Sequence, residues 1–239
     1  MKKGNIYLIP TIIADDTEAK IIAPQVREVI ANIDYYLVEN VRTARRYISK
    51  LKLGLIIEDL EFEVLDKKTN RESIIKFLQP VLEGRSAGII SESGCPGVAD
   101  PGSLAVEQAH KFGIRVVPLS GPSSILMALM ASGFNGQSFV FHGYVPIDKK
   151  DLRIKINEME LASQKLNQTQ LFMDTPYRNQ KLFEFILQFA GGETKLSIAR
   201  GISGKDEIIQ TKSINDWKKS KIELNKIPTI FSLFTGLHD

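Results

Sequence analysis

The chain has 239 residues, a formal net charge of +3, 43% hydrophobic and 25% charged residues, one cysteine and three histidines. Such a chain is large enough for two compact domains or one large α/β domain, and its composition excludes long disorder and fibrous repeats. Cys95 alone excludes an internal disulfide, the scatter of His110, His142 and His238 argues against a zinc site, and the weak positive charge permits nucleic-acid contact without requiring it. No short Asp/Glu cluster resembles a dedicated magnesium site, so no metal is expected.

The first apolar run, Ile6 to Ala14, follows Lys2 and Lys3 in the manner of a signal peptide. Pro10 interrupts it, Asp15 and Asp16 close it, and no small-residue cleavage site appears, so a first buried strand is predicted instead. Further strands are predicted at Tyr35–Val38, Ala87–Ser91, Val116–Leu119, Phe139–His142, Gln170–Met173, Leu196–Ala199, Ile208–Lys212 and Thr229–Phe234. Helices are predicted at Pro24–Ala31, Thr43–Lys50, Glu72–Leu82, Leu104–Phe112, Ser123–Met130, Leu152–Gln164, Asn179–Phe189 and Asn215–Lys219. This alternation predicts α/β architecture with largely parallel sheets. The last three strands crowd together, which predicts a mixed or antiparallel edge in the C-terminal half. The longest apolar helix candidate, Ile125 to Ala131, is too short to span a bilayer, so a soluble cytoplasmic protein is expected. Turn signals at Ser120-Gly121-Pro122 predict a boundary between domains 1–120 and 121–239, with a ligand cleft between them.

Three segments carry chemistry. The run from Ala87 to Gly102 is a buried strand followed by a loop containing Gly94, Pro96, Gly97, Pro101 and Gly102. Glycines let backbone approach a ligand closely and prolines hold one loop shape, so the segment fits a cofactor loop or a rigid strand-to-helix turn. Asp100 is placed to cap the following helix. The second segment, Val116 to Ile125, ends a strand at Gly121-Pro122 and starts a helix whose free amides at Ser123 and Ser124 suit an anion. The third is a basic face at four-residue spacing, Arg42, Arg46 and Lys50 with Arg45 beside it, open to RNA phosphates or to solvent. A second basic cluster, Lys149, Lys150, Arg153 and Lys155, stands at a helix start, where the macrodipole disfavours cations. No Gly-x-Ser-x-Gly elbow, Walker loop or Gly-x-Gly-x-x-Gly fingerprint is present, which argues against serine hydrolase, ATPase and Rossmann dehydrogenase chemistry.

These segments together resemble the tetrapyrrole methylase superfamily, and within it the branch that 2′-O-methylates a cytidine of small-subunit ribosomal RNA. The resemblance is carried in order by Ile6–Thr11, Val38–Arg42, Ser91–Gly102, Gly113–Ser123 through Ala131–Gly133, Phe141–Pro146 and Phe172–Arg178, and is extended by Ala199-Arg200 and the closing strand to Gly236. It implies two α/β/α domains, a homodimer and S-adenosylmethionine in the cleft. It also implies that Pro10 lines the cleft, that Ser91, Gly94 and Pro96 contact the cofactor, and that Ser123 lies near its methionine part. Met173, Ala199, Pro228 and Thr229 are implied beside the adenosine.

The chain departs from that branch at particular places. The branch's Thr-Pro-Ile-Gly-Asn becomes Thr11-Ile12-Ile13-Ala14-Asp15, and its Glu-Asp-Thr-Arg becomes Glu39-Asn40-Val41-Arg42. Its histidine-containing loop becomes Asp66–Asn70, its Arg-Glu-Leu-Thr-Lys becomes Arg200–Gly204, and its Lys-Gly-Glu becomes Lys226–Pro228. The polar matches that remain are Glu39, Asp100, Asp174, Arg178 and Glu207, of which Glu39 and Asp100 are the candidate bases. Three readings follow: an RNA methyltransferase, a methyltransferase for a tetrapyrrole or other small molecule, and a degenerate binding protein without catalysis.

Overall fold

The computed structural model describes residues 2–236, so His238 lies outside the described residues, and the chain divides into two compact units, 1–123 and 124–239. The first unit alternates strand and helix: β1 (Asn5–Ile9), α1 (Glu18–Ile21), α2 (Pro24–Ala31), β2 (Tyr35–Val38), α3 (Val41–Lys50), β3 (Glu61–Val64), α4 (Arg71–Leu82), β4 (Ala87–Ile90), α5 (Ser103–Lys111) and β5 (Arg115–Pro118). Its five strands run in the order β3-β2-β4-β1-β5, all parallel. Residues of β2 alternate between two cores. Tyr36 and Val38 pack with Val26, Ile30, Tyr47 and Ile48 of α2 and α3, whereas Tyr35 and Leu37 pack with Ile74, Leu78, Ala105 and Ala109 of α4 and α5. Burial on both faces is why these strands are continuous apolar runs.

The second unit contains α6 (Ser124–Ser132), β6 (Phe139–Tyr144), α7 (Lys149–Leu166), β7 (Thr169–Met173), α8 (Asn179–Phe189), β8 (Lys195–Arg200), β9 (Ile208–Ser213), α9 (Ile214–Trp217) and β10 (Thr229–Phe234). Its sheet has the order β6-β7-β10-β8-β9, with only β6 and β7 parallel. Trp217 is fully buried among Phe183, Leu196 and Phe231, and its indole N–H donates to the Leu196 carbonyl at 2.8 Å. Phe172 of β7 and Phe231 of β10 stack with ring centroids 5.6 Å apart.

The α/β class and nearly every predicted element are present. The second sheet corrects the expectation of largely parallel pairing, because antiparallel pairs dominate it and are not confined to its edge. Two elements were not predicted. The edge strand β3, Glu61-Phe62-Glu63-Val64, is half-charged and partly exposed, and α1 is too short to show a helical period. The helix predicted from Leu152 begins earlier, because Asp148 caps it by accepting from the amides of Lys150 and Asp151.

Candidate functional site

In a parallel sheet the carboxyl ends of all strands lie on one edge. In the first unit that edge carries the segments after Ile9, Val38, Ile90 and Pro118. The chain passes from β1 to β2 on one side and from β4 to β5 on the other, so the strand order reverses between β1 and β4. Ligands of open α/β sheets bind at such a reversal.

The loops there interlock. The Thr11 amide donates to the Gly94 carbonyl at 2.8 Å, the Cys95 thiol to the Pro122 carbonyl at 3.3 Å, and the Tyr47 hydroxyl of α3 to the Pro10 carbonyl at 2.9 Å. Of the sequence-predicted cofactor residues, Pro10, Ser91, Gly94, Pro96 and Ser123 therefore all belong to one group of loops in the first unit. Gly94 has φ +69°, and a Cβ there would come within 3.4 Å of both Ile13 Cγ2 and the Pro122 carbonyl oxygen. Gly121 lies so close to Pro10 that a Cβ would stand 2.1 Å from the proline Cβ. The altered segment Thr11–Asp15 is tied down from another direction, since Lys50 of α3 pairs with Asp16 at 3.0 Å and Glu18 at 3.4 Å.

Two polar atoms in this group are buried without a hydrogen-bond partner: Thr11 Oγ1 and Glu39 Oε2. A buried hydroxyl or carboxylate oxygen left unpaired costs free energy, and such atoms mark places where a ligand completes the bonding. Glu39, just after β2, and Asp100, on the β4–α5 loop, are close enough to repel one another, and Glu92 adds to both. Burial first, then these neighbouring charges, raises the Glu39 carboxyl above its ordinary value; the Glu92 amide and Lys67 pull it back. Burial likewise raises Asp100, opposed by a hydrogen bond from the Ser91 hydroxyl. The structure thus brings both candidate bases together.

Asp100 is not the cap expected of it. Gly102 occupies the N-cap position of α5, with no side-chain cap, and left-handed residues at Gly97, Ala99 and Gly102 carry Asp100 back to Ser91 instead. Pro122 is likewise not in the first turn of α6, which begins at Ser124. Sequence reasoning left out Thr11 and Glu92. Each directly follows a residue it did select, Pro10 and Ser91. Cys95 is no activated nucleophile, because burial raises its thiol. His142 is a satisfied structural residue, 2.7 Å from the Gln170 side chain, and burial lowers its proton affinity.

In the second unit, Met173, Ala199, Pro228 and Thr229 gather at one sheet edge, where Ile230 pairs with both Met173 and Ala199 and Thr229 pairs with Arg200. The charged residues nearby make local contacts, although Asp174 Oδ2 and Arg200 Nε are buried without a hydrogen bond. Arg178 pairs with the buried Asp174 at 3.2 Å, Arg200 donates to the carbonyls of Asp206 and Glu223, and Glu207 accepts from the Ser203 amide at 2.6 Å. Among the described residues no helix is long and apolar enough to cross a membrane, and no group of three His, Cys, Asp or Glu is placed to hold a metal.

The fold is that of the tetrapyrrole methyltransferases. It matches the methyltransferase CobJ with a TM-score of 0.62 at 17% identity, covering 97% of this chain and 94% of that one. It matches uroporphyrin-III C-methyltransferase from Thermus thermophilus, solved in complex with S-adenosyl homocysteine, with a TM-score of 0.55 at 16% identity and 97% of each chain. No family model matches the chain. Sequence comparison finds ribosomal RNA small subunit methyltransferase I of Vibrio cholerae, 30% identical over 205 residues, 86% of this chain and 67% of that protein. The protein of the same name from Pseudomonas aeruginosa is 26% identical over 223 residues, 92% of this chain and 75% of that protein. The chain belongs to the ribosomal RNA small subunit methyltransferase I family.

Proposed function

We propose that this chain is a cytoplasmic, S-adenosylmethionine-dependent enzyme that methylates the ribose 2′-hydroxyl of a cytidine in small-subunit ribosomal RNA. The observation that carries the reading is kinship over 86% of the chain with a protein named for small-subunit ribosomal RNA methylation. The geometry of the first sheet edge supports it.

The residues present fit the cofactor. Gly94 and Gly121 keep backbone free of side chains where loops converge, and the buried Thr11 hydroxyl lacks a partner that a polar ligand would provide. Pro10, Ser91, Gly94, Pro96 and Ser123 are proposed to hold it from the first unit, and Met173, Ala199, Pro228 and Thr229 to contact its adenosine. When bound, S-adenosylmethionine supplies an electrophilic methyl group.

The chain's own part is to position the acceptor and take its proton. Glu39 Oε2 is buried and unpaired, so it is the oxygen proposed to accept the proton of the ribose hydroxyl. Burial, and after it Asp100 and Glu92, hold Glu39 at a higher proton affinity than a free carboxylate has, which makes it a stronger base once ionised. Ser91 restrains Asp100 through its hydroxyl.

A homodimer belongs to the same proposal. Helix α6, Ser-Ile-Leu-Met-Ala-Leu-Met-Ala-Ser, has no charged face, and its Met130 is 82% exposed. Sedimentation of the purified chain at the mass of one copy would remove that part alone. The activity is tested by incubating the chain with labelled S-adenosylmethionine and small-subunit ribosomal RNA from cells lacking it. One labelled cytidine ribose is expected; no transfer to any RNA overturns the reading.

A further inference from the structure

Four basic residues lie on α3, and the structure treats them differently. Lys50 is neutralised by Asp16 and Glu18. The Arg45 guanidinium rests over the Phe62 ring, 5.3 Å from its centroid. Arg42 and Arg46 are exposed and have no ion-pair partner among the described residues. They stand one turn apart on the same helix face, roughly 6 Å along the axis.

Position gives this pair its meaning. α3 starts three residues after β2 ends, so Arg42 is three residues from Glu39 and Arg46 continues away from it. The helix is fixed to the loop after β1 by the Tyr47 hydroxyl bond to the Pro10 carbonyl, so the arginines have a defined place on the first unit. Arg42 lies in the first turn, which carries no acidic residue, although the helix dipole disfavours a cation there. A sequence that breaks a local rule without local compensation is expected to do so for function. On the β3–α4 turn, Lys67 is exposed and acts electrostatically on both Glu39 and Asp100. Lys67 is therefore the cation beside the carboxylates, and Arg42 and Arg46 lie on the helix that directly follows Glu39. The cluster at the start of α7 differs: Arg153 covers the Phe189 ring, Lys155 pairs with Glu158, Asp148 caps the helix and Asp151 stands in its first turn.

We propose that Arg42 and Arg46 form a phosphate-binding stripe that lays an RNA strand along α3 and delivers a ribose to Glu39, with Lys67 holding the strand on the far side of the carboxylates. This rests on the RNA methyltransferase reading and extends it by naming the surface that the RNA occupies. Phosphates fit because the stripe is exposed, unpaired and regularly spaced, and Arg forks match phosphate oxygens.

The test uses the full-length chain, S-adenosylmethionine and small-subunit ribosomal RNA, with the double variant Arg42→Gln/Arg46→Gln and the control Lys50→Gln. The double variant is expected to raise the KM for RNA roughly tenfold at low salt and to flatten the slope of log KM against log salt by about 1.4, since each lost single-strand phosphate contact removes about 0.7. Its kcat and its calorimetric affinity for S-adenosylmethionine are expected to stay within twofold, and Lys50→Gln to keep the wild-type slope. A double variant with wild-type KM and salt slope, while the wild type methylates RNA, overturns the stripe and leaves the activity standing. A wild-type chain that binds S-adenosylmethionine but neither binds nor methylates the RNA overturns both.

Discussion

The carboxyl edge of the first sheet and the edge of the second sheet that carries Met173, Ala199 and Thr229 differ in how their charged side chains are grouped: carboxylates crowd together at the first, and Asp174 is matched by Arg178 at the second. At the first, Thr11 Oγ1 and Glu39 Oε2 are buried without partners, and three carboxylates crowd together with Lys67 as the opposing charge. At the second, Asp174 pairs with Arg178, Arg200 donates to the carbonyls of Asp206 and Glu223 and Glu207 accepts from the Ser203 amide, although Asp174 Oδ2 and Arg200 Nε are also buried without a hydrogen bond. An open carboxylate oxygen among other carboxylates is suited to take a proton, whereas Asp174 is held by its ion pair with Arg178. On the proposed function, proton transfer falls to the first edge and a positioning role to the second.

The largest expected effect separates the two edges directly. Glu39→Gln keeps the size of the side chain and removes its basicity, so kcat is expected to fall about a hundred- to ten-thousand-fold with S-adenosylmethionine affinity unchanged. Asp174→Asn is expected to lower stability by about 1–3 kcal/mol through loss of its charged bond to the half-buried Arg178, with kcat retained at temperatures where the variant is folded. Calorimetric melting and single-turnover methylation measure both. If Asp174→Asn lost kcat as severely as Glu39→Gln, the division between the edges would fail.

The next effect compares two glycines with nearly the same backbone. Gly94 in the first unit has φ +69° and Gly143 in the second has φ +67°, but a Cβ at Gly143 would meet nothing within 4 Å. Valine at either position is expected to cost about 1–3 kcal/mol of stability from left-handed strain. Only Gly94→Val is expected to lose measurable S-adenosylmethionine binding, since its side chain would press on Ile13 and the Pro122 carbonyl in the proposed cofactor loop. Equal affinity in both variants would remove Gly94 from the cofactor loop.

How much of this could be read from sequence follows the range of the interactions. β2, α2, α8 and β10 were bounded correctly, since burial on both strand faces or a clear helical stripe marks them locally. β3 escaped because Glu61 and Glu63 break the apolar pattern of an edge strand that is held by pairing with β2. The antiparallel second sheet escaped because pairing direction is a property of distant partners. At the site, the glycine loop was visible in the chain, but the meeting of Glu39, Glu92 and Asp100 depends on β2 and β4 being neighbours. Asp100 looked like a helix cap because an Asp before Pro-Gly commonly is one, and three left-handed residues in the loop overrule that preference.

The pH dependence is smaller and has a fixed sign. Burial raises Glu39 and Asp100, so the folded chain favours their protonated forms. The stability this contributes is fully present below their ordinary carboxyl values and is lost as pH rises through the raised values. Activity runs the other way, because the base must be ionised. The acid limb of kcat/KM is expected above the ordinary carboxylate range. Glu39→Gln is expected to flatten the part of the stability profile that Glu39 causes. An acid limb at or below the ordinary glutamate value would mean that neither carboxyl is the base.

The smallest effect concerns a contact that both units share. Arg45 covers Phe62 at 5.3 Å in the first unit, and Arg153 covers Phe189 at 4.9 Å in the second. An exposed cation over a ring contributes about 0.5–1 kcal/mol, so Arg45→Gln and Arg153→Gln are each expected to lower the melting temperature by roughly 1–4 °C. Neither guanidinium is free in the way that those of Arg42 and Arg46 are. Both single variants are therefore expected to keep the wild-type salt slope for RNA. If Arg45→Gln flattened the slope as much as either of its neighbours, its ring contact would not keep it from the strand. The grip on RNA would then cover the whole exposed face of α3 instead of one stripe, and the contrast between an open first unit and a closed second would extend to its aromatic contacts as well.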